Sequence, residues 1–159
     1  RQNRRRLEVE AIRDAMLMAS GRLEDSGDSI NKKRSMFEKL DRNRIPEMFD
    51  VFDYPNPGLV SGNRNDSTVP TQALFMMNSE FVLKEANLAA TKILEMEGLD
   101  DRQRLVFAYK TTLGRIPSDG EKSLALAYLK KHGGSTNQQD AWAGVLHGLF
   151  ACLDFRYLN

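Results

Sequence analysis

The chain has 159 residues, 41% of them hydrophobic and 28% charged, with a formal net charge of +1. That composition fits one folded domain, or one compact piece of a larger protein, and argues against wholesale disorder. A balance so close to neutral supplies no global field to favour nucleic acid or an anionic membrane surface.

The one dense basic run is "RQNRRR", with Arg1, Arg4, Arg5 and Arg6. It could touch phosphates, but it reads more simply as the solvated first turn of a helix continuing through "LEVEAIRDAMLMASGRL". Val9, Ile12, Met16, Ala19 and Leu23 are spaced by three and four and form one apolar stripe. Arg6 and Glu10 stand four apart on another face, the spacing of a helical ion pair. The chain opens on Arg and shows no signal sequence, so it reads as a C-terminal fragment whose first helix, residues 1–23, is the seam to an upstream domain. Gly21 and the polar "EDSGDSINKK" end that helix.

"RSMFEKL" alternates Met36 and Leu40 with Glu38 and predicts a short strand. Pro46 opens a short helix, "PEMFDVF", which "DYPNPG" stops. Residues 58–67 read as surface loop. Thr68 and Pro70 then suit the N-cap and first turn of the next helix, and Ser79 the cap of the one after. From Ser79, the residues Val82, Ala86, Ala89 and Ile93 make a stripe, with Gly98 as its C-terminal stop. Leu105, Tyr109 and Leu113 recur every four residues up to Gly114. Ser118 and Glu121 match the S-x-x-E capping box, and Gly133-Gly134 ends that helix. The last helix carries Trp142, Leu146, Leu149 and Leu153 on one face. The expectation is an all-α, single compact domain over residues 1–159, with five to seven helices and at most a short strand or hairpin near residues 35–40.

Little here announces catalysis. Cys152 is alone, so the chain has no internal disulfide, no C-x-x-C-H haem attachment and no Cys/His cluster at metal spacing. No cofactor and no metal are expected in this fragment. G-x-S-x-G, H-E-x-x-H and glycine-rich phosphate loops are missing. His147, inside "GVLHGLF", reads as a packed histidine. Asp50 and Asp53 could pair as carboxylates, yet residues three apart on a short helix are more often solvated neighbours, or partners for Arg42 and Arg44. No apolar run approaches the roughly 20 residues that cross a bilayer.

The stretch "RNDSTVPTQALFMMNSEF", residues 64–81, holds more polar side chains than two helix caps need. Arg44, Asp53, Arg64, Thr68, Gln72 and Asn78 are the candidate ligand-binding residues. Arginine forks bind carboxylate or sulfate bidentately, and amides read sugar hydroxyls. The competing expectation is that Arg64, Thr68, Gln72 and Asn78 meet beside the 46–58 segment and brace its backbone.

"RRRLEVEAIRDAML", "RNRIPEMFDVFDYPNP", "RNDSTVPTQALFMMNSEFV", "YKTTLGRIPSDGE" and "DFRYLN" occur in that order. Together they resemble the C-terminal domain of unknown function of large planctomycete proteins, which commonly follows another planctomycete-specific domain and often a cytochrome-c-like module. The resemblance implies a bacterial, exported, multidomain parent with a periplasmic or cell-surface location, and it implies no reaction. The reading is a non-catalytic helical domain that completes a larger protein, with the upstream domain of the same polypeptide as its partner and no nucleic acid. The alternative is a glycan or acidic-ligand site, or an active site shared with that upstream domain, built on residues 44–78.

Overall fold

The computed structural model describes residues 5–24, 34–37, 45–55, 69–134 and 137–158. Helices dominate them: α1 (Val9–Ala19), α2 (Glu47–Val51), α3 (Pro70–Asn78), α4 (Glu80–Leu94), α5 (Asp101–Leu113), α6 (Asp119–His132), α7 (Gln138–Ala151) and α8 (Leu153–Arg156). The all-α expectation holds. Six of the eight helices are nine residues or longer, while α2 and α8 are single short turns.

The α4–α7 pair is the most extensive contact in the fold. Ala86, Ala89 and Ala90 are buried on α4, and small side chains there let a neighbouring helix approach closely. From α7, Trp142, Leu146 and Leu149 enter the same core, as the four-three spacing predicted, joined by Phe150, whereas Leu153 starts α8 and is exposed. Helix α1 packs on α4 and α5 and buries Val9, Ile12, Met16, Leu17 and Ala19. Leu23 lies past its end. The predicted caps divide. Gly114 takes the left-handed conformation after α5, with φ 67°, and Ser118–Glu121 forms a complete capping box on α6. Ser79 makes no side-chain cap on α4, and Gly98 falls beyond the Glu95 cap of that helix.

Two expectations are corrected. Arg5–Arg6 is not a helical turn but a strand, β1, antiparallel to β2 (Tyr157–Leu158), with Arg5 opposite Leu158 and Arg6 opposite Tyr157. The ribbon continues where Leu7 N–H donates to the Arg156 carbonyl at 2.8 Å. Extended backbone at both ends satisfies its polar groups by pairing, and Arg6 is thereby drawn inward, away from the helical spacing to Glu10. The strand expected near residues 35–40 is, in its described part, a single 3-10 turn at Ser35–Phe37. Ser35 is fastened to α1: its N–H and hydroxyl donate to Asp14 Oδ1 at 2.9 and 2.7 Å, which fixes a turn rather than an extended run. Residues 38–40 lie outside the described residues.

Candidate functional site

The region singled out in the sequence is organised around the end of α2. Asp53 N–H donates to the Asp50 carbonyl at 3.2 Å and Tyr54 N–H to the Phe49 carbonyl at 2.9 Å. Asp53 itself has φ 61°. This is a Schellman closure, whose left-handed residue is usually glycine. The Tyr54 ring meets Phe49 edge-on at 5.1 Å, the apolar contact that accompanies the motif. Helix α1 closes in the same way, with Gly21 at φ 75° and Arg22 N–H on the Leu17 carbonyl at 2.8 Å. An aspartate therefore stands at the end of α2 where α1 uses a glycine.

Its carboxylate explains the exchange. Asp53 Oδ2 accepts from Arg6 Nη2 at 3.1 Å and from Gln72 Nε2 at 3.3 Å. Gln72 is 0% exposed and also donates to the Val51 carbonyl at 3.2 Å, one of the helix-end carbonyls with no partner inside α2. The Arg6 guanidinium lies 5.9 Å from the Phe52 ring centre. Residues 6, 53 and 72 thus tie β1, the end of α2 and the first turn of α3 into one brace.

Of the candidate residues, Asp53 and Gln72 meet. Asn78 stands apart: it is exposed and donates to the Leu74 carbonyl of its own helix at 2.9 Å. Six residues after Gln72, it points roughly 240° away round α3. Arg44, Arg64 and Thr68 lie outside the described residues.

A separate open cleft of ≈ 430 Å³ is walled by Met48, Phe49 and Phe75, with Arg13 from α1, Arg22 just past its end and Glu85 from α4. Glu85 is 0% exposed. It accepts from the Ser20 hydroxyl at 2.6 Å and from Arg22 Nη1. A carboxylate this deep stays charged only with such donors around it. Arg13 Nη1 donates to Ser35 Oγ at 3.2 Å, and Lys84 is exposed at the rim. Sequence reasoning missed Arg13, Ser20, Arg22 and Glu85. The usable signal was a charge set within an apolar stripe: Glu85 follows Val82 by three and adjoins Ala86, and Arg13 adjoins Ile12.

A family model for PSD1, a protein of unknown function (DUF1553), matches residues 1–129. The chain belongs to the PSD1 family. No curated protein and no solved structure matches it. In this PSD1 chain the match includes both the brace and the cleft and stops within α6, so α7 and α8 follow it.

The chemistry on offer in the PSD1 cleft is ionic recognition beside aromatic walls. Its buried carboxylate, Glu85, accepts a hydrogen bond from the Ser20 hydroxyl. Elsewhere His147 Nε2 lies 3.1 Å from the Met76 carbonyl, a packed and half-buried ring as expected. Burial pushes the Cys152 thiol up. Among the described residues no three His, Cys, Asp or Glu side chains are grouped to hold a metal ion, and no helix is long and apolar enough to cross a membrane.

Proposed function

We propose that this PSD1 domain is a non-catalytic helical module that completes a larger exported bacterial protein of the planctomycete type, and that it works through structure and contact at the periplasmic or cell surface. The upstream part of the same polypeptide is its first partner. A haem or other redox group, where the parent has one, sits in that upstream part. The observation that carries this reading is Gln72: wholly buried, its amide serves the Val51 carbonyl and the Asp53 carboxylate rather than an open surface. Two of the residues expected to bind a ligand, Asp53 and Gln72, thereby hold the segment itself.

Thermal melts of the parent and Gln72→Ala, each with and without a panel of glycans and small acids, test it. The expected result is a loss of about 1–3 kcal/mol on removing the buried amide, with no ligand dependence in either protein. A ligand-dependent rise in melting temperature that disappears in Gln72→Ala would sink the bracing reading.

One observation favours a second reading. The cleft has Met48, Phe49 and Phe75 on its wall and carries Arg13, Arg22 and Lys84 as well as Glu47, Glu80 and Glu85, an apolar surface among mixed charges that offers Arg13 and Lys84 to the acidic group of a glycan or small acid. Under that reading the ligand meets Arg13, Arg22 and Lys84, while Asp53 and Gln72 do not line the cleft and Arg44, Arg64, Thr68 and Asn78 remain the further candidates. The same melts decide between the two.

A further inference from the structure

We propose that the groove between α6 and α7 is the docking site for an amphipathic helix of a protein partner that presents apolar side chains to the groove and a basic residue to its α8 end.

Helix α6 carries more apolar surface than the core takes. Leu129 is its one buried residue, while Leu124 is 75% and Tyr128 39% exposed, four residues apart on one face. Together with Leu153, 55% exposed at the start of α8, they border an open groove of ≈ 560 Å³. Its floor is Val145 and the backbone of α7 at Gly144 and Gly148. A Cβ on Gly144 would lie 2.5 Å from the Tyr128 hydroxyl, so the tyrosine rests directly on that glycine. A shallow apolar trough between two helices, with raised leucines on its edge, matches the mode in which a partner helix lays its i, i+4 anchors into a groove.

Charge selects the partner. At the α8 end Arg115 donates to both oxygens of Glu121, at 2.7 and 2.9 Å, and to Asp154 Oδ2 at 2.9 Å. One cation against two carboxylates leaves this end with an excess negative charge, and Asp154 spends one oxygen on Arg115. Glu121 and Tyr128 are seven residues apart, roughly 10 Å along α6. Two turns of a partner helix therefore span the groove from its apolar anchors to a Lys or Arg beside Asp154. Opposite charges across such a rim fix orientation and rate of encounter.

The inference deepens the contact half of the proposed function and is independent of the brace, so Gln72→Ala should bind as the parent does. The probe is a labelled leucine-faced peptide helix of about four turns with lysines at one end, set against a matched peptide with glutamates there. Binding to the whole chain is read by fluorescence anisotropy. The lysine peptide should bind in the micromolar range and the glutamate peptide at least about tenfold more weakly. Leu124→Asp, at an exposed side chain, should weaken the lysine peptide by about tenfold or more without moving the melting temperature. Asp154→Asn should bring the two peptides closer in affinity. Equal affinity of the two peptides, unchanged binding by Leu124→Asp, or no binding at all would overturn the proposal. So would dimerisation of the parent that Leu124→Asp abolishes, which assigns the groove to a second copy. Saturable binding of dodecylamine with neither peptide bound would also overturn it, in favour of a small amphiphile.

Discussion

Asp53 occupies a backbone conformation that asks for glycine, and the reason is its carboxylate. The left-handed conformation costs a non-glycine residue about 1–2 kcal/mol, somewhat less for Asp or Asn. Hydrogen bonds to a charged group return about 1.5–3 kcal/mol each, and Asp53 accepts from Arg6 and Gln72. Three variants separate the terms. Asp53→Gly keeps the conformation and loses the brace. Asp53→Asn keeps the conformation and an acceptor but loses the charge. Asp53→Ala loses both. Urea unfolding should rank them parent, Asn, Gly, Ala, with Ala lower than the parent by about 2–3 kcal/mol. A Gly variant as stable as the parent would show that the carboxylate contributes nothing net. In the sequence, "DYPNPG" announced that α2 stops but pointed to the prolines; the stop is made at Asp53, before the first of them. Gln72 was legible because the caps of α3 and α4 have no use for its amide, which then needs another partner. Arg6 was not, since nothing in "RRR" distinguishes the inward arginine from its neighbours.

At the level of elements, what is local was readable and what is distant was not. Ser118 and Glu121 announced the cap of α6, and the same logic applied to Asp100 and Gln103, the equally complete box on α5 that went unread. Neither reveals that Arg115 carries Glu121 on to Asp154, 39 positions beyond Arg115. Nor does a two-residue strand declare itself when its partner lies at the other end of the chain. The α5–α6–α8 junction built by Arg115 has a pH signature. The Arg115 hydrogen bonds first, with those of Ser118, lower the Glu121 carboxyl from 4.5 to about 2. A folded-state pKa below the unfolded one contributes stability in full above the unfolded value, and that contribution is lost as pH falls through the folded value. Glu121→Gln removes the charge yet keeps a side chain that completes a capping box. The parent should therefore melt higher than Glu121→Gln near neutral pH, and the gap should close as pH falls from about 4.5 towards 2. The side chain is about a third exposed, so solvent screening keeps the gap small. A gap that stays constant over that range would mean the junction works through shape alone.

The molecule as a whole is held from both ends, and its core does not stop where the family match stops. Residues 1–129 carry the match, yet Trp142, Leu146 and Phe150 are among its largest fully buried side chains and α7 is the principal partner of α4. Without α7 the apolar face of α4 would meet water, α6 would lose its main neighbour, and β1 would lose the strand that draws Arg6 towards Asp53. Exposed apolar area costs about 25 cal/mol per Å², and a domain with only about 5–15 kcal/mol in hand does not survive losing a face of its core. Trp142→Ala gives the graded form of the same argument: a cavity at 0% exposure should cost about 3–5 kcal/mol, measured by urea unfolding against the parent. The full form is a chain cut after Gly134. It should show neither a cooperative melt nor dispersed amide resonances, whereas the parent shows both. A cut chain that folds cooperatively would mean that the matched region is self-sufficient and that α7 packs onto a finished core, and Trp142→Ala should then cost well under 3 kcal/mol.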